Sequence, residues 1–219
     1  METTMKQIFP DLWQTEVESP FPGLTTHAYL LTRKQGNVLF YNTGHVHEID
    51  AMAELGGVDW HFLSHLDELG KSLLWVRERY GAKLGGPVRE REAFAEILEP
   101  DLLFKERETL AGGIEVIPTP GHTPGSTCFL VSSTTGKTYL FTGDTLYRNR
   151  VGQWSNGFMD DMSDRDALVA SLRLLRDLRP DVVISSAFAD QQGYEAMSPS
   201  DWAGHVDGAL QPLLTNESG

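Results

Sequence analysis

Ile117-Pro118-Thr119-Pro120-Gly121-His122-Thr123-Pro124-Gly125-Ser126-Thr127-Cys128-Phe129 is followed, one apolar run later, by Phe141-Thr142-Gly143-Asp144-Thr145. Two prolines and two glycines crowd around a single imidazole, so the chain is expected to turn tightly there and to hold His122 in place but exposed, as a group that must meet a metal or a substrate. Asp144 leaves the next strand through a glycine, which suits a carboxylate that has to reach the same spot.

Working outward, apolar runs of strand length come first, around Ile8 to Val17, Ala28 to Thr32 and Val38 to Tyr41, each closed by Gly, Pro or Asn. From Asp50 onward helix and strand alternate. The pattern predicts a short helix near Ala51 to Leu55, a strand at Trp60 to Ser64, a helix from about Gly70 to Tyr80 stopped by Gly81, and a helix over Glu90 to Ile97. Strands are expected again at Ile114 to Ile117, Thr127 to Val131 and Thr138 to Phe141. Ser163-Asp164-Arg165-Asp166 then reads as a helix cap, with Leu168, Leu172, Leu175 and Leu178 on one face and a stop before Pro180. Val182 to Ser185 is a last strand and Asp201 to Leu214 a last helix. Strands followed by mixed helix and strand, twice over, fit a sandwich of two mixed sheets with helices on the outer faces.

The 219 residues can hold one domain with a sizeable core, and no Pro/Gly/Ser-rich linker divides them, so a single domain over 1–219 is expected. Against 31 acidic residues stand 18 Lys and Arg, a net charge of -13 that repels a phosphate backbone or an anionic membrane. Neither nucleic acid nor membrane is therefore expected as a partner. The one cysteine, Cys128, excludes an internal disulfide framework and favours a reducing cytoplasm. Met1 to Lys6 shows no basic region leading into an apolar stretch, and no apolar run reaches the length of a membrane span, so a soluble, unexported protein is expected. Nothing in the sequence sets an oligomeric state.

The two turns together resemble the metallo-β-lactamase superfamily, whose Gly-His-Thr-Pro-Gly turn carries a metal-binding histidine and whose Thr-Gly-Asp turn carries a metal-bridging aspartate. The resemblance covers nearly the whole chain, from Thr26-His27-Ala28-Tyr29-Leu30-Leu31 through Asn42-Thr43-Gly44 to the final strand. It implies an α+β fold, a four-layer αβ/βα sandwich of two mixed β-sheets with helices outside. The resemblance implies a divergent, glyoxalase II-like metallo-hydrolase with an incomplete ligand set. In the family a His-x-His-x-Asp-His turn follows a strand ending in Thr or Ser; here that place reads Leu63-Ser64-His65-Leu66-Asp67-Glu68-Leu69-Gly70. His65 matches either the first histidine, with two residues deleted, or the second without a gap. Asp67 matches the aspartate in both registers, and Glu68 stands where the turn's last histidine would be. The family's final histidine, after the last strand, has no counterpart in Ile184-Ser185-Ser186-Ala187-Phe188-Ala189.

The resemblance thus leaves His65, Asp67, His122 and Asp144 as metal ligands, with Glu68 as a carboxylate replacement, enough for one divalent ion: zinc first, the extra carboxylates shifting preference somewhat toward harder ions such as Mn or Fe(II). Asp67-Glu68-Leu69-Gly70 reads equally as the acidic first turn of the next helix. His45-Val46-His47-Glu48-Ile49-Asp50 has ligand-like spacing, but it follows the Asn42-Thr43-Gly44 turn that matches the family's Asp-Thr-Gly upstream of the metal motif, so a solvated loop is expected. Asn42 replaces the usual aspartate. His61 beside Trp60 reads as a core or edge histidine, and His27 and His205 have no motif around them. Gly70-Lys71-Ser72 lacks the first glycine of a phosphate loop, no Gly-x-Ser-x-Gly elbow occurs, and Cys128 has no activating base.

The activity implied is hydrolysis of an ester, thioester or amide carbonyl in a small molecule, a metal-bound water attacking and Asp67 acting as general base. Trp154, Phe158 and Met159 are candidates for covering the pocket, or for packing on the sheet. The competing expectation is a relative that has lost its metals and serves as a binding or assembly module.

Overall fold

The computed structural model describes residues 5–21, 23–189 and 192–215, and the chain divides into two compact units, one ending at Lys105 and one beginning at Glu106. Residues 1–4, on which part of the expectation about export rests, lie outside the described residues. Among the described residues no helix is long and apolar enough to cross a membrane.

The first unit opens as an antiparallel meander. β1 (Lys6–Phe9) pairs with β2 (Leu12–Gln14), β3 (Glu18–Phe21) with β4 (Leu24–Thr26), and β5 (Tyr29–Leu31) lies between β2 and β6 (Val38–Phe40). The run expected from Ile8 to Val17 is therefore a hairpin turned at Pro10 and Asp11. After α1 (Val46–Ala51) come β7 (Trp60–Phe62), α2 (Ser72–Tyr80), β8 (Lys83–Pro87), α3 (Arg91–Ala95) and β9 (Leu102–Phe104). The strands β6, β7, β8 and β9 run parallel in that order, and Val38, Leu39 and Phe40 are all buried, as strands covered on both faces must be. On the helix side Ile49 of α1 and Val76 of α2 meet Leu30 and Leu39, while Leu73 and Phe94 gather with Leu84. Gly81, at φ 66°, ends α2 in the left-handed conformation that glycine adopts without a Cβ penalty. The helix expected near Ala51 to Leu55 is present as a 3-10 turn, Met52–Leu55, and α1 runs into it from Val46, so His47 stands on a helix and not in a loop; Glu48 in the first turn of α1 is fully buried and accepts a hydrogen bond from the Glu16 amide at 2.9 Å.

Two adjacent glycines make β8 possible. A Cβ on Gly85 would stand 2.6 Å from both Phe62 and Phe104, whose rings meet edge to face at 5.2 Å, and a Cβ on Gly86 would stand 2.4 Å from the Phe94 ring on the opposite face. The strand is thus a thin partition between aromatic rings supplied by its neighbours.

Beside it, His61 on β7 is buried and its Nε2 hydrogen-bonds the Tyr41 carbonyl at 2.7 Å. Tyr41 is held at φ 64°, a strained value for a bulky residue. Burial pushes the His61 pKa from 6.5 down to about 4, so the folded chain keeps the ring neutral. Between those values the unfolded chain binds a proton that the folded chain refuses. The contribution of His61 to stability is therefore full above about pH 6.5 and is lost, by about 3 kcal/mol, as pH falls toward 4. His61→Gln keeps a donor for the Tyr41 carbonyl and should lose that part of the slope. Urea midpoints at pH 7 and pH 4.5 check this: the parent should fall further than the variant.

The second unit carries β10 (Glu108–Leu110), β11 (Ile114–Pro118), β12 (Thr127–Ser132), β13 (Thr138–Gly143), β14 (Leu146–Arg148), β15 (Trp154–Asn156), α4 (Arg165–Arg176), β16 (Val182–Ser185), β17 (Ala187–Phe188), β18 (Tyr194–Ala196) and α5 (Pro199–Thr215). β10 to β13 form an antiparallel meander, β16 joins β13 in parallel, and β18 closes the edge; β14 pairs with β15 and β17. The Asp164 side chain accepts from Ala167 N at 3.0 Å, which caps α4 as its sequence predicts. Leu168, Leu172 and Leu175 then face a core shared with Leu140, Val183, Trp202 and Val206. Arg176 and Asp207 form a two-pronged ion pair between α4 and α5.

Candidate metal site

His122 stands in the turn between β11 and β12. Gly121 N donates to Thr123 O at 3.0 Å and Thr123 N to Ser126 Oγ at 2.9 Å, closing the turn on itself. The same turn is fastened to the start of α4: Asp164 N donates to Gly121 O at 2.8 Å, Ser163 Oγ to His122 O at 2.9 Å and Ser171 Oγ to Pro120 O at 2.7 Å. The imidazole is fixed, but it is not exposed as expected; His122 is 3% accessible, because the chain at Gly157 returns across it.

That return decides the chemistry of the ring. His122 Nδ1 lies 2.5 Å from the Gly157 carbonyl, and a carbonyl can only accept, so Nδ1 carries the proton and Nε2 the lone pair. Nε2 is 3.9 Å from Asp144 Oδ2. Asp144 Oδ1 accepts from Ala187 N at 3.0 Å, which turns the other oxygen toward the histidine. Gly143, at φ 54°, swings the chain out of β13 to make this possible. A Cβ on Gly157 would stand 2.0 Å from the Asp144 carbonyl oxygen and 3.1 Å from His122 Nδ1, so this approach admits only glycine.

In the first unit, Ser64 and His65 follow β7 and lead into a 3-10 turn, Leu66–Glu68. His65 is buried; its Nδ1 lies 2.8 Å from Ser64 Oγ and 3.3 Å from Glu68 Oε1, and its Nε2 lies 3.8 Å from Asp67 Oδ2. Glu68 bends back on the strand, accepting from Ser64 N at 2.7 Å and from Ser64 Oγ at 2.5 Å, so both of its oxygens are occupied. Asp67 keeps a third of its side chain exposed. The acidic pair is separate from α2, which starts at Ser72. Asn42 donates to the Glu68 carbonyl at 2.9 Å and accepts from Ser72 Oγ at 2.8 Å; an aspartate there could not make the first of these bonds.

The remaining candidates fall elsewhere. His47 and Glu16 form a 3.2 Å pair with both side chains more than half exposed, and with Glu48 they bring one ligand atom each within 4.8 Å of one another. His45 lies against His47 and approaches Val17 O at 3.3 Å. Trp154 is buried in the core of the second unit and donates to Glu195 at 2.8 Å, so it packs and does not cover; Phe158 packs against the same core. Cys128 is fully buried beside Thr119, and burial pushes its thiol up to about 12. Ser64 and Ser163 are legible in the sequence only as a strand end and a helix cap, not as partners of the histidines, and no motif marks the Gly157 carbonyl.

Known proteins resemble this chain in sequence and in fold. A family model described as the metallo-beta-lactamase superfamily matches residues 41–187, which is 147 of the 219 residues. A probable metallo-hydrolase of Methanocaldococcus jannaschii is 37% identical over 79 residues, 36% of this chain and 32% of that protein, so the match spans about a third of the relative's length. Among solved structures, a mutant of a metallo-beta-lactamase from Cronobacter sakazakii with a HARLDQ motif matches with a TM-score of 0.73 at 15% identity, over 97% of this chain and 96% of that one. A metallo-beta-lactamase from Pontibacter korlensis matches with a TM-score of 0.72 at 18% identity, over 96% and 98%. These two likenesses bear on the fold, and they agree with mixed sheets and helices of the expected α+β kind. With the family model spanning both turns that carry His65 and His122, the chain belongs to the metallo-beta-lactamase superfamily.

Proposed function

We propose that the chain is a metal-dependent hydrolase whose metal ligands come from among His65, Asp67, His122 and Asp144 and which acts on an ester, thioester or amide carbonyl of a small molecule. The observation that carries this reading is the bond from His122 Nδ1 to the Gly157 carbonyl, which leaves Nε2 as a lone-pair donor beside Asp144 Oδ2. Two imidazoles and two carboxylates suit zinc, and the carboxylate share leaves room for Fe or Mn. When bound, such an ion supplies Lewis acidity toward a carbonyl oxygen and an acidified water. His65 and His122 bind through nitrogen. Where it is not spent as a ligand, Asp67, the more exposed carboxylate, would orient the attacking water and accept its proton. Each Glu68 oxygen already accepts from Ser64, which favours a supporting role over a place in the ligand set.

The family match runs across the boundary at Lys105 and Glu106, which supports treating the two units as one domain. The net charge of -13 supports a small-molecule substrate over nucleic acid or a membrane surface, and the lone buried thiol supports the cytoplasm. The reading as a binding or assembly module is favoured by one observation, the lack of a histidine between Ile184 and Ala189.

Elemental analysis of protein purified without a chelator should give one divalent ion per chain, and ester, thioester and lactam substrates should be turned over on addition of Zn, Mn or Fe(II). If none of these metals raises turnover or the melting temperature, the binding-module reading replaces the hydrolase.

A further inference from the structure

We propose that Glu68 is a positioning residue that decides, through the Ser64 hydroxyl, which nitrogen of His65 carries the proton. The purpose of this arrangement rests on the proposed metal site, but its chemistry does not. Ser64 Oγ has a single hydrogen and two polar neighbours, Glu68 Oε1 at 2.5 Å and His65 Nδ1 at 2.8 Å. A carboxylate only accepts, so the hydroxyl hydrogen goes to Glu68. The hydroxyl oxygen then faces Nδ1 with a lone pair, and Nδ1 must be the donor. The direct separation of 3.3 Å between Nδ1 and Glu68 Oε1 favours the same placement, because the carboxylate attracts the proton-bearing side of the ring.

The carboxylate is not free to turn away. Its second oxygen accepts from Ser64 N at 2.7 Å, and its backbone carbonyl accepts from Asn42 Nδ2 at 2.9 Å. Ser64, His65 and Glu68 are all buried, so these charge-assisted bonds act where water does not weaken them. The outcome is a proton on Nδ1 and a lone pair on Nε2, the nitrogen that lies 3.8 Å from Asp67 Oδ2. His122 reaches the same tautomer by a different device, the Gly157 carbonyl. A glutamate at the place of a missing histidine thus serves the site without touching the ion, and carboxylate support of this kind strengthens an imidazole as a ligand.

Two variants separate Glu68 from Ser64. In Glu68→Gln the side-chain oxygen can keep the Ser64 amide, which leaves the NH2 group facing Ser64 Oγ as a donor. The hydroxyl hydrogen then turns to Nδ1, and the ring proton moves to Nε2. In Ser64→Ala, Nδ1 faces the Glu68 carboxylate directly and keeps its proton. The measurement is nitrogen-15 NMR of histidine-labelled, metal-free protein at about pH 8, above the ordinary histidine pKa of about 6.5. The parent and Ser64→Ala should show His65 protonated on Nδ1, and Glu68→Gln should show it protonated on Nε2. Zinc titration should show a loss of about 10- to 100-fold in affinity for Glu68→Gln. An unchanged tautomer in Glu68→Gln, or a proton on Nε2 in the parent or in Ser64→Ala, overturns the proposal. Should Glu68→Gln not fold, the other two proteins still decide it. If the tautomer switches as described but even the parent takes up no metal, the positioning role stands and the hydrolase reading fails.

Discussion

If the chain is the metal-dependent hydrolase proposed, His122→Ala should abolish both metal uptake and turnover while the chain still folds. The tautomer of the ring and its distance to a second candidate ligand are both set by neighbours in its own unit, and the ring is buried. Removing it takes one donor from a set already short of the family's full complement, and an ion left below four ligands is held poorly. The structural cost is the lost bond to the Gly157 carbonyl, about 1–3 kcal/mol, which a core built on Leu168, Leu172, Val183 and Trp202 can bear. His47→Ala is the control: its 3.2 Å pair with Glu16 is solvent-exposed, and the variant should stay within about 0.5 kcal/mol of the parent with metal content unchanged. Metal analysis, turnover and thermal melts on the three proteins make the comparison. Retention of a full ion by His122→Ala would remove His122 from the ligand set.

The largest loss of stability is expected from Gly121→Ala. A Cβ there would stand 2.3 Å from both N and Cα of Leu168, which are backbone atoms that cannot swing aside, and φ at this position is 138°, outside the range of L side chains. Relief requires lifting the turn off α4 and breaking the bonds from Asp164 N and Ser163 Oγ. The cost should be about 3–5 kcal/mol. Gly136→Ala isolates the conformational part: φ is 84° and a Cβ would meet nothing within 4 Å, so about 1 kcal/mol should be lost. Denaturant melts of both variants test the difference, and equal losses would mean that the approach of α4 is not what requires glycine.

The sequence was most readable where local chemistry and tertiary structure ask for the same residues. The Pro and Gly pattern around His122 and the glycine before Asp144 describe real turns. Asp164 and the leucines after it describe a real capped helix with a buried face. β8 was missed for the opposite reason. Lys83-Leu84-Gly85-Gly86-Pro87 has no strand character of its own, and its glycines are set by Phe62, Phe94 and Phe104, which come from other elements. β14 and β15 are three residues each, too short to show a period of two, and their pairing comes from one another and from β17. Helix α1, ahead of the expected helix, was hidden by a polar first turn, whose Glu48 is buried and accepts from the Glu16 amide of a distant segment. At the site, the sequence pointed to His65 and His122 by resemblance but misjudged the exposure of His122, because Gly157, 35 residues away, is what covers it. The use of Asn42 and Glu68 could not be read either, since an amide in place of an acid is explained only by the carbonyl it holds.

Cys128 has a practical consequence at the bench. With the thiol fully buried and its pKa pushed up to about 12, almost none of it is thiolate at neutral pH, and only the thiolate attacks disulfides, alkylating reagents or soft metals. The protein therefore needs no dithiothreitol or mercaptoethanol on the column, and such reagents, themselves strong chelators of thiophilic ions, can be left out of every buffer. A colorimetric thiol reagent should stay silent on the native chain and report one equivalent only when the second unit unfolds, which turns the lone cysteine into a built-in gauge of whether metal loading was carried out on folded protein.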